Sequence, residues 1–380
     1  MRIRLLLPLL LLRVPGAPLF PCQAPAAEAP RIRVAIIRGS TSLNLKTSAP
    51  IYIVEVKTGE KYQLLADSAY EVRSMGASIM VAGHRLLSPV KMLPAEGAER
   101  VRLASRLYKG DIILRASGQG RLDIIESLLL EEYLRGVLPA EMSPGWPLEA
   151  LKAQAVASRT YALKQLKPSA DYDITDGVEM QVYKGYDGVN PRIKEAVDST
   201  RGEVLRYKRK LITAFFHSCC GGHTAGVNSA WGEGVTKPLS GVKDPYCAGS
   251  SHSRWKYFVT SKDLLAFLQK RGSTALKLKG IKPHSKGRSG RIITFRVSTD
   301  RGSETALVKE MRAHFGSNKF RSTYITKVTP VRGGYEFSGR GWGHGVGMCQ
   351  EGAKTMARKG KSYRKILRFY YPGAGIEEFN

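Results

Sequence analysis

Leu130-Glu-Glu-Tyr-Leu-Arg-Gly-Val-Leu-Pro-Ala-Glu141-Met-Ser-Pro-Gly-Trp-Pro147-Leu-Glu-Ala-Leu-Lys-Ala-Gln-Ala-Val-Ala-Ser-Arg159-Thr-Tyr-Ala162 is the stretch on which this chain turns. An amphipathic run ends in a short loop punctuated by Pro139, Pro144, Gly145 and Pro147, with Glu141 inside it. A lone acid among Pro, Met and Trp neighbours is in a setting that raises a carboxyl pKa for proton transfer. The clearest helix of the chain follows, over 146–166. Pro147 suits its first helical position. At a helical period, Leu148, Leu151, Ala155, Ala162, Leu163 and Leu166 fall on one face. Arg159 lies near the centre of that stripe, where an unpaired guanidinium is costly. Either it partners a buried carboxylate or an anionic substrate group, or it snorkels to a rim. Bonded directly to Glu141, it would lower the acid's pKa and spoil it as a proton donor. Set one shell away, it would leave the proton in place.

Upstream, residues 32–125 read as short strands: Ile32–Ile37, Ile51–Val56, Tyr70–Arg73, Ser78–Val81 and Asp111–Leu114. Turn signals such as Thr58-Gly59, Ala82-Gly83 and Ser117-Gly-Gln-Gly120 separate them. Leu122 to Leu138 is apolar with mixed spacing. Downstream, 256–330 mixes a strand at Ile292–Val297 with a helical piece near Lys262–Lys270, and Lys and Arg are dense around 270–291. Residues 331–380 end in a Gly/His loop and a short helix. The expected fold is α+β: a β-rich N-terminal module over 32–125, then a mixed α/β core over 126–255 and 331–380. The basic segment 256–330 is an inserted or flanking lobe.

Lys and Arg number 60 against 32 Asp and Glu, a net charge of +28, which favours anionic partners such as nucleic acid, anionic membrane or cell-wall polymer. Arg2 and Arg4 before the apolar run Leu5–Leu12, with Ala24-Pro-Ala26 beyond it, read as a signal peptide over 1–26. The run is too short to span a bilayer. Its removal takes away Arg2, Arg4 and Arg13 and no acid, so the basicity belongs to the exported body. Export to the cell envelope, periplasmic or extracellular, disfavours nucleic acid as the partner.

Three further constellations carry chemistry. Phe216-His217-Ser-Cys219-Cys220-Gly-Gly-His223-Thr224, with Cys247 downstream in Asp244-Pro-Tyr-Cys247, supplies ligand types for a four-coordinate zinc site. A Cys220–Cys247 disulfide fits the same spacing in an oxidising compartment, and both readings stay open. Gly339-Arg-Gly-Trp-Gly-His344-Gly-Val-Gly-Met-Cys349-Gln350 is rich in glycine, which permits positive φ and close approach to a ligand. His344, flanked by glycines, is a functional candidate. Asp173-Ile-Thr-Asp176-Gly-Val-Glu-Met-Gln181-Val-Tyr183 presents polar side chains at alternating spacing, suited to a sugar groove or to a capped edge strand. The phosphate-loop, Gly-x-Ser-x-Gly and His-Glu-x-x-His patterns are absent from the sequence.

These pieces occur in the order seen in the stage II sporulation protein D (SpoIID)/amidase-enhancer family, which the chain resembles through Leu130–Ala162, Phe216–Thr224 and Gly341–Gln350. The resemblance covers roughly 125–255 and 330–380. It implies a SpoIID-like catalytic domain with a substrate groove. It implies a peptidoglycan lytic transglycosylase cutting the MurNAc–GlcNAc bond in glycan strands stripped of their peptides, with 1,6-anhydro-MurNAc ends as product. Glu141 matches the family's catalytic glutamate. Arg159, Tyr161, His217 and His344 match positions near the groove, and Gln181, Tyr183 and Gln350 join Arg159, Tyr161 and His344 as substrate-binding candidates. His217, Cys220 and Cys247 are the zinc candidates, with Cys219 and His223 as alternates; no organic cofactor is expected. Cys349 stands where the family usually has Ser. A hydrolase using a carboxylate pair needs a second acid, and none has equally distinctive surroundings, whereas a transglycosylase works with one carboxyl serving as acid and then base. The expected partners are peptidoglycan glycan strands and a cell-wall amidase or other wall hydrolase. The alternative is a non-catalytic wall-binding protein that recruits or stimulates an amidase.

Overall fold

The apolar stretch from Leu122 to Leu138 has mixed spacing because it is two elements joined without a loop. A strand, Arg121–Leu129, runs straight into helix α1, Leu130–Glu141. The computed structural model describes residues 29–379 except 48, 96–100, 104, 233 and 235, so the expected signal peptide lies outside the described residues. Among the described residues no helix is long and apolar enough to cross a membrane.

The class is α+β, as expected from the sequence. Arg121–Leu129 is the third strand of a seven-stranded sheet ordered Ile174–Thr175, Arg31–Ser40, Arg121–Leu129, Asp111–Ser117, Val90–Pro94, Ile51–Glu55, Lys61–Leu64. A four-stranded antiparallel sheet, Ser42–Lys46, Ala69–Met75, Ser78–Val81 and His84–Leu87, lies against it. Alternating inward residues such as Ile51, Ile53, Ile112 and Leu114 meet Val72 and Ile79. The same apolar cluster continues without a break into Leu134, Val137, Leu151 and Val156 of the helices.

Helix α2, Leu148–Lys164, is the axis of the body. It packs against α1, α3 (Pro191–Asp198) and the strand Glu203–Tyr207. Every residue from Ala153 to Leu163 is buried, so the helix has no solvent face there. The single stripe read from its leucines understates this. Alanines at 150, 153, 155, 157 and 162 add little periodic signal, yet they let neighbours close in on every side. Its buried polar groups find partners within reach. Gln154 donates to Ser158 Oγ at 2.9 Å, and Thr160 Oγ1 accepts from Leu205 N at 2.9 Å. Helix α4, Val227–Trp231, follows the strand Phe216–His217.

A second core gathers Trp255, Leu264, Phe267, Phe295, Val297, Met311, Phe320 and Phe337. Two three-stranded sheets build this lobe with α5 (Ser261–Gln269) and α6 (Val308–Phe315). Its first and last strands, Trp255–Thr260 and Gly334–Gly339, pair antiparallel with Trp255 opposite Gly339. The chain then returns to the body through the glycine-rich loop into α7, Gln350–Arg358, and α8, Tyr363–Tyr370, both packed on α2.

Candidate active site

Glu141 is the last residue of α1 rather than a loop residue. Pro139 does not stop the helix earlier because it lies within the final turn, where only one backbone bond is lost to it. The chain leaves at Met142 in extended conformation. Glu141 Oε1 accepts from Val182 N at 2.8 Å and Oε2 from Gln350 Nε2 at 3.3 Å. Burial pushes its pKa up, and these two hydrogen bonds only partly oppose the shift. The negative end of α1 acts in the same upward direction. Among the described residues no cation bonds to it.

The carboxyl opens on a cleft of about 380 Å³, within the range of ligand sites. Five of the residues singled out in the sequence line it: Glu141, Tyr161, His217, His344 and Gln350. The glycine-rich loop delivers His344. Gly343, Gly345 and Gly347 all have positive φ, and a Cβ at Gly343 would sit 2.7 Å from His217 Cβ, so only glycine lets the two histidine segments meet. Val346 sets both rings. Its carbonyl accepts from His217 Nδ1 at 3.1 Å, and its N–H donates to His344 Nδ1 at 3.0 Å. His217 Nε2 is thereby left unprotonated, buried and without a hydrogen-bond partner. Burial, then the positive charge nearby, holds both imidazoles neutral: His217 well below its ordinary value and His344 down to about 3.

Arg159 does not line the cleft. Its Nε and Nη2 clasp Glu131 Oε1 and Oε2 at 2.8 and 2.7 Å, and Nη1 and Nη2 donate to the carbonyls of Glu203 (3.1 Å) and Val197 (3.3 Å). It is 1% exposed, with its charge met by a carboxylate on the same helix as Glu141 but at the opposite end. Gln181 and Tyr183 also turn inward. Gln181 Oε1 accepts from Tyr133 OH at 3.0 Å, while its Nε2 donates to the Ser158 carbonyl at 3.3 Å. Tyr183 donates to the buried Glu126 at 2.7 Å and packs over Gly136, where a Cβ would meet its ring at 2.3 Å. Both anchor the segment whose Val182 N–H reaches Glu141. Alternation in that segment marked facing correctly, but the polar side chains face the core.

Four cleft groups escaped the sequence reading. Glu179 is a second carboxylate, half exposed. Thr175 Oγ1 donates to it at 2.7 Å and Arg38 stands at 3.8 Å, which keep it ionised below the usual range. Its only sequence signal is its place three residues after Asp176. Trp231 ends α4, Trp342 belongs to the glycine-rich loop, and Arg312 comes from α6 of the lobe. No local pattern marks Arg312 among the many basic residues there.

Behind Gln350 lies a buried set of metal-type donors. Cys220, Asp244, Cys247 and Cys349 offer ligand atoms all within 4.8 Å of one another. The four cysteines at 219, 220, 247 and 349 are free, and Cys220 and Cys247 sulfurs stand 3.3 Å apart, well beyond a disulfide bond. Backbone N–H groups of Cys220 and Gly352 point at Cys349 Sγ (3.2 and 3.4 Å), and that of Gly222 at Cys220 Sγ (3.3 Å). Tyr370 OH donates to Asp244 Oδ2 at 2.9 Å. Arg291 of the lobe is fully buried beside this set. Its Nη2 donates to the Cys220 carbonyl at 2.7 Å, while Nε and Nη1 have no partner. A buried guanidinium so placed calls for negative charge next to it, which thiolates bound to a metal would supply. Three thiols and a carboxylate, closed from solvent, fit a structural zinc site in number and kind. The donor set gathered here differs from the one read from the sequence, keeping Cys220 and Cys247. His217 is outside the group because Val346 takes its Nδ1 and its ring faces the cleft; His223 is spent on the Thr224 carbonyl at 2.7 Å. Cys219 is buried nearby but is not among the four. Asp244 and Cys349 join this donor set without a signal in the sequence because the segments meet only through long-range pairing, His217 opposite Cys349 in a parallel bridge.

Fold and site thus define an α+β protein with a buried carboxylic acid in a histidine- and aromatic-walled cleft. Comparison with known proteins gives it a family. A model for SpoIID, stage II sporulation protein, matches residues 118–207, and one for a domain of unknown function (DUF8618) matches 229–347. An uncharacterised protein of Brachyspira hyodysenteriae is 35% identical over 268 residues, covering 68% of this chain and 69% of that protein. The stage II sporulation protein D of Bacillus subtilis is 32% identical over 279 residues, covering 67% and 76%. The amidase enhancer of the same bacterium is 33% identical over 299 residues, covering 65% of this chain but only 40% of that relative. The chain belongs to the SpoIID family.

Proposed function

We propose that the protein is an exported cell-wall enzyme, a lytic transglycosylase that cleaves MurNAc–GlcNAc bonds in glycan strands lacking peptides. The observation that carries this reading is Glu141: a carboxyl in an accessible cleft, held by two neutral donors, with burial raising its pKa and no cation bonded to it. In the reaction, Glu141 gives its proton to the glycosidic oxygen as the muramoyl C1–O bond breaks. The muramoyl O6 then attacks C1, and its proton passes to the Glu141 carboxylate. The ring closes as a 1,6-anhydro sugar, no water is consumed, and the acid is restored. Gln350 and Val182 aim the carboxyl. Tyr161 and Trp231 give aromatic faces.

Glu179 supports a second reading. A carboxylate with a lowered pKa lining the same cleft as a carboxyl with a raised one is the pairing of a hydrolase. Product mass separates the two, because the anhydro end is one water lighter. Glu141→Gln should abolish release of anhydro product from denuded glycan, while Glu179→Gln should keep the product anhydro at a rate within about tenfold. Hydrated ends that depend on Glu179 would instead establish hydrolysis. Glycan binding that survives Glu141→Gln, with no product from the native protein, would leave the role suggested by the amidase enhancer: a wall-bound partner of an amidase.

The reading extends to zinc held by Cys220, Asp244, Cys247 and Cys349. Four protein donors leave no place for water or substrate, so the chemistry supplied is a cross-link. It would tie the strand Phe216–His217 to the start of α7, and so fix Gln350 against Glu141.

A further inference from the structure

The Glu141 cleft does not end at its far wall. A second cavity of about 480 Å³ lies between α4 and the lobe, and Trp231, Arg312 and His344 line both spaces. Arg312 is half-buried at this junction, with its Nε pinned to the Arg321 carbonyl at 3.0 Å. Among the described residues no carboxylate pairs with it. Besides Glu141, the acids that line the two cavities are engaged elsewhere: Glu310 with Arg271, and Glu179 with Thr175 and Arg38. His344 stays neutral and offers no counter-charge. Burial and the neighbouring Arg291 both disfavour the charge on Arg312, so the site as it stands lacks an anion. A planar guanidinium in such a place suits a carboxylate taken bidentate.

We infer that Arg312 is the specificity-determining residue of the site, pairing with the free lactyl carboxylate of a muramoyl residue on a glycan strand that runs from the Glu141 cleft past Trp231 into the second cavity. Where a peptide is attached, that carboxylate has become an amide, which carries no charge for Arg312 and brings bulk to the junction. Recognition of stripped strands is thus assigned to the lobe, and proton transfer to the body. The inference rests on the proposed glycan substrate but not on the bond-breaking step.

The test measures binding without turnover. In a Glu141→Gln background, calorimetry compares denuded glycan oligosaccharides with the same oligosaccharides methyl-esterified at the lactyl carboxylate. With Arg312 present, the acid form should bind about tenfold or more tighter than the ester. Arg312→Gln should erase that preference while leaving ester binding unchanged, and Arg312→Lys should keep more of it than Arg312→Gln does. Equal weakening of acid and ester, or an undiminished preference in Arg312→Gln, overturns the inference. The two readings fail separately. A preference that depends on Arg312 in a protein that forms no anhydro product sinks the transglycosylase and keeps the recognition. Anhydro product with no role for Arg312 does the reverse.

Discussion

Helix α1 carries a glutamate near each end, and the two ends treat it in opposite ways. Glu131 lies in the first turn, where the helix dipole favours an anion, and Arg159 clasps it with two bonds. Glu141 is the last residue, where the dipole opposes the charge, and it receives only an amide and a peptide N–H. One acid is finished structure and the other is held short of satisfaction. The arginine that looks functional in the sequence serves the structural end. The arginine suited to a ligand arrives from a different lobe. An incomplete set of partners, more than burial or charge alone, separates the acid proposed to react from the structural one.

That contrast can be broken at either end. Glu141→Gln should cost about 10³-fold or more in anhydro product formation while the protein stays folded, read from product mass and thermal melting. Arg159→Ala should do the converse: a loss of about 3–5 kcal/mol in urea unfolding, because Glu131 is left uncompensated. The residual folded fraction should keep the preference for acid over ester glycan. Cys247→Ser, or a strong chelator, should release bound zinc and lower the melting temperature by several degrees, with product formation falling alongside as Gln350 loosens. Metal analysis that finds no zinc in freshly purified protein would refute the ligand assignment. The smallest effect is in pH. The folded pKa of Glu141 is raised, so the folded state binds the proton more tightly than the unfolded chain does. Its contribution to stability is full below the unfolded carboxyl pKa and is lost as pH rises through the folded value. Glu141→Gln should therefore gain stability relative to the native protein at pH 7 but not at pH 4. Activity of the native protein should fall on the alkaline side of the same raised value.

Much of this was legible in the chain. The strands between 31 and 117 show in alternation and turn residues, since each buries one face. Glu141 shows through its apolar, proline-rich neighbours, and the glycines around His344 show because positive φ leaves little choice of residue. What was hidden depends on distance along the chain. Cys220 and Cys349 are 129 residues apart, and nothing in either local pattern predicts that they meet. Arg312 reaches the cleft only because the lobe folds back over α4. Arg159 misled because period and burial identify a buried charge but not its partner. Gln181 and Tyr183 misled for a related reason: side chains rich in hydrogen-bonding groups serve a buried network as readily as a sugar.

The antiparallel pairing of Trp255 with Gly339 means that the lobe leaves and rejoins the body through a two-stranded neck. A graft at that neck could exchange the lobe for another without rerouting the body. Glu141, its amide support and the three thiols belong to the body and would remain, while Arg312 and Arg291 would change. Such an arrangement lets a lineage, or a designer, revise the lobe's side of the cleft while the body that holds Glu141 stays as it is.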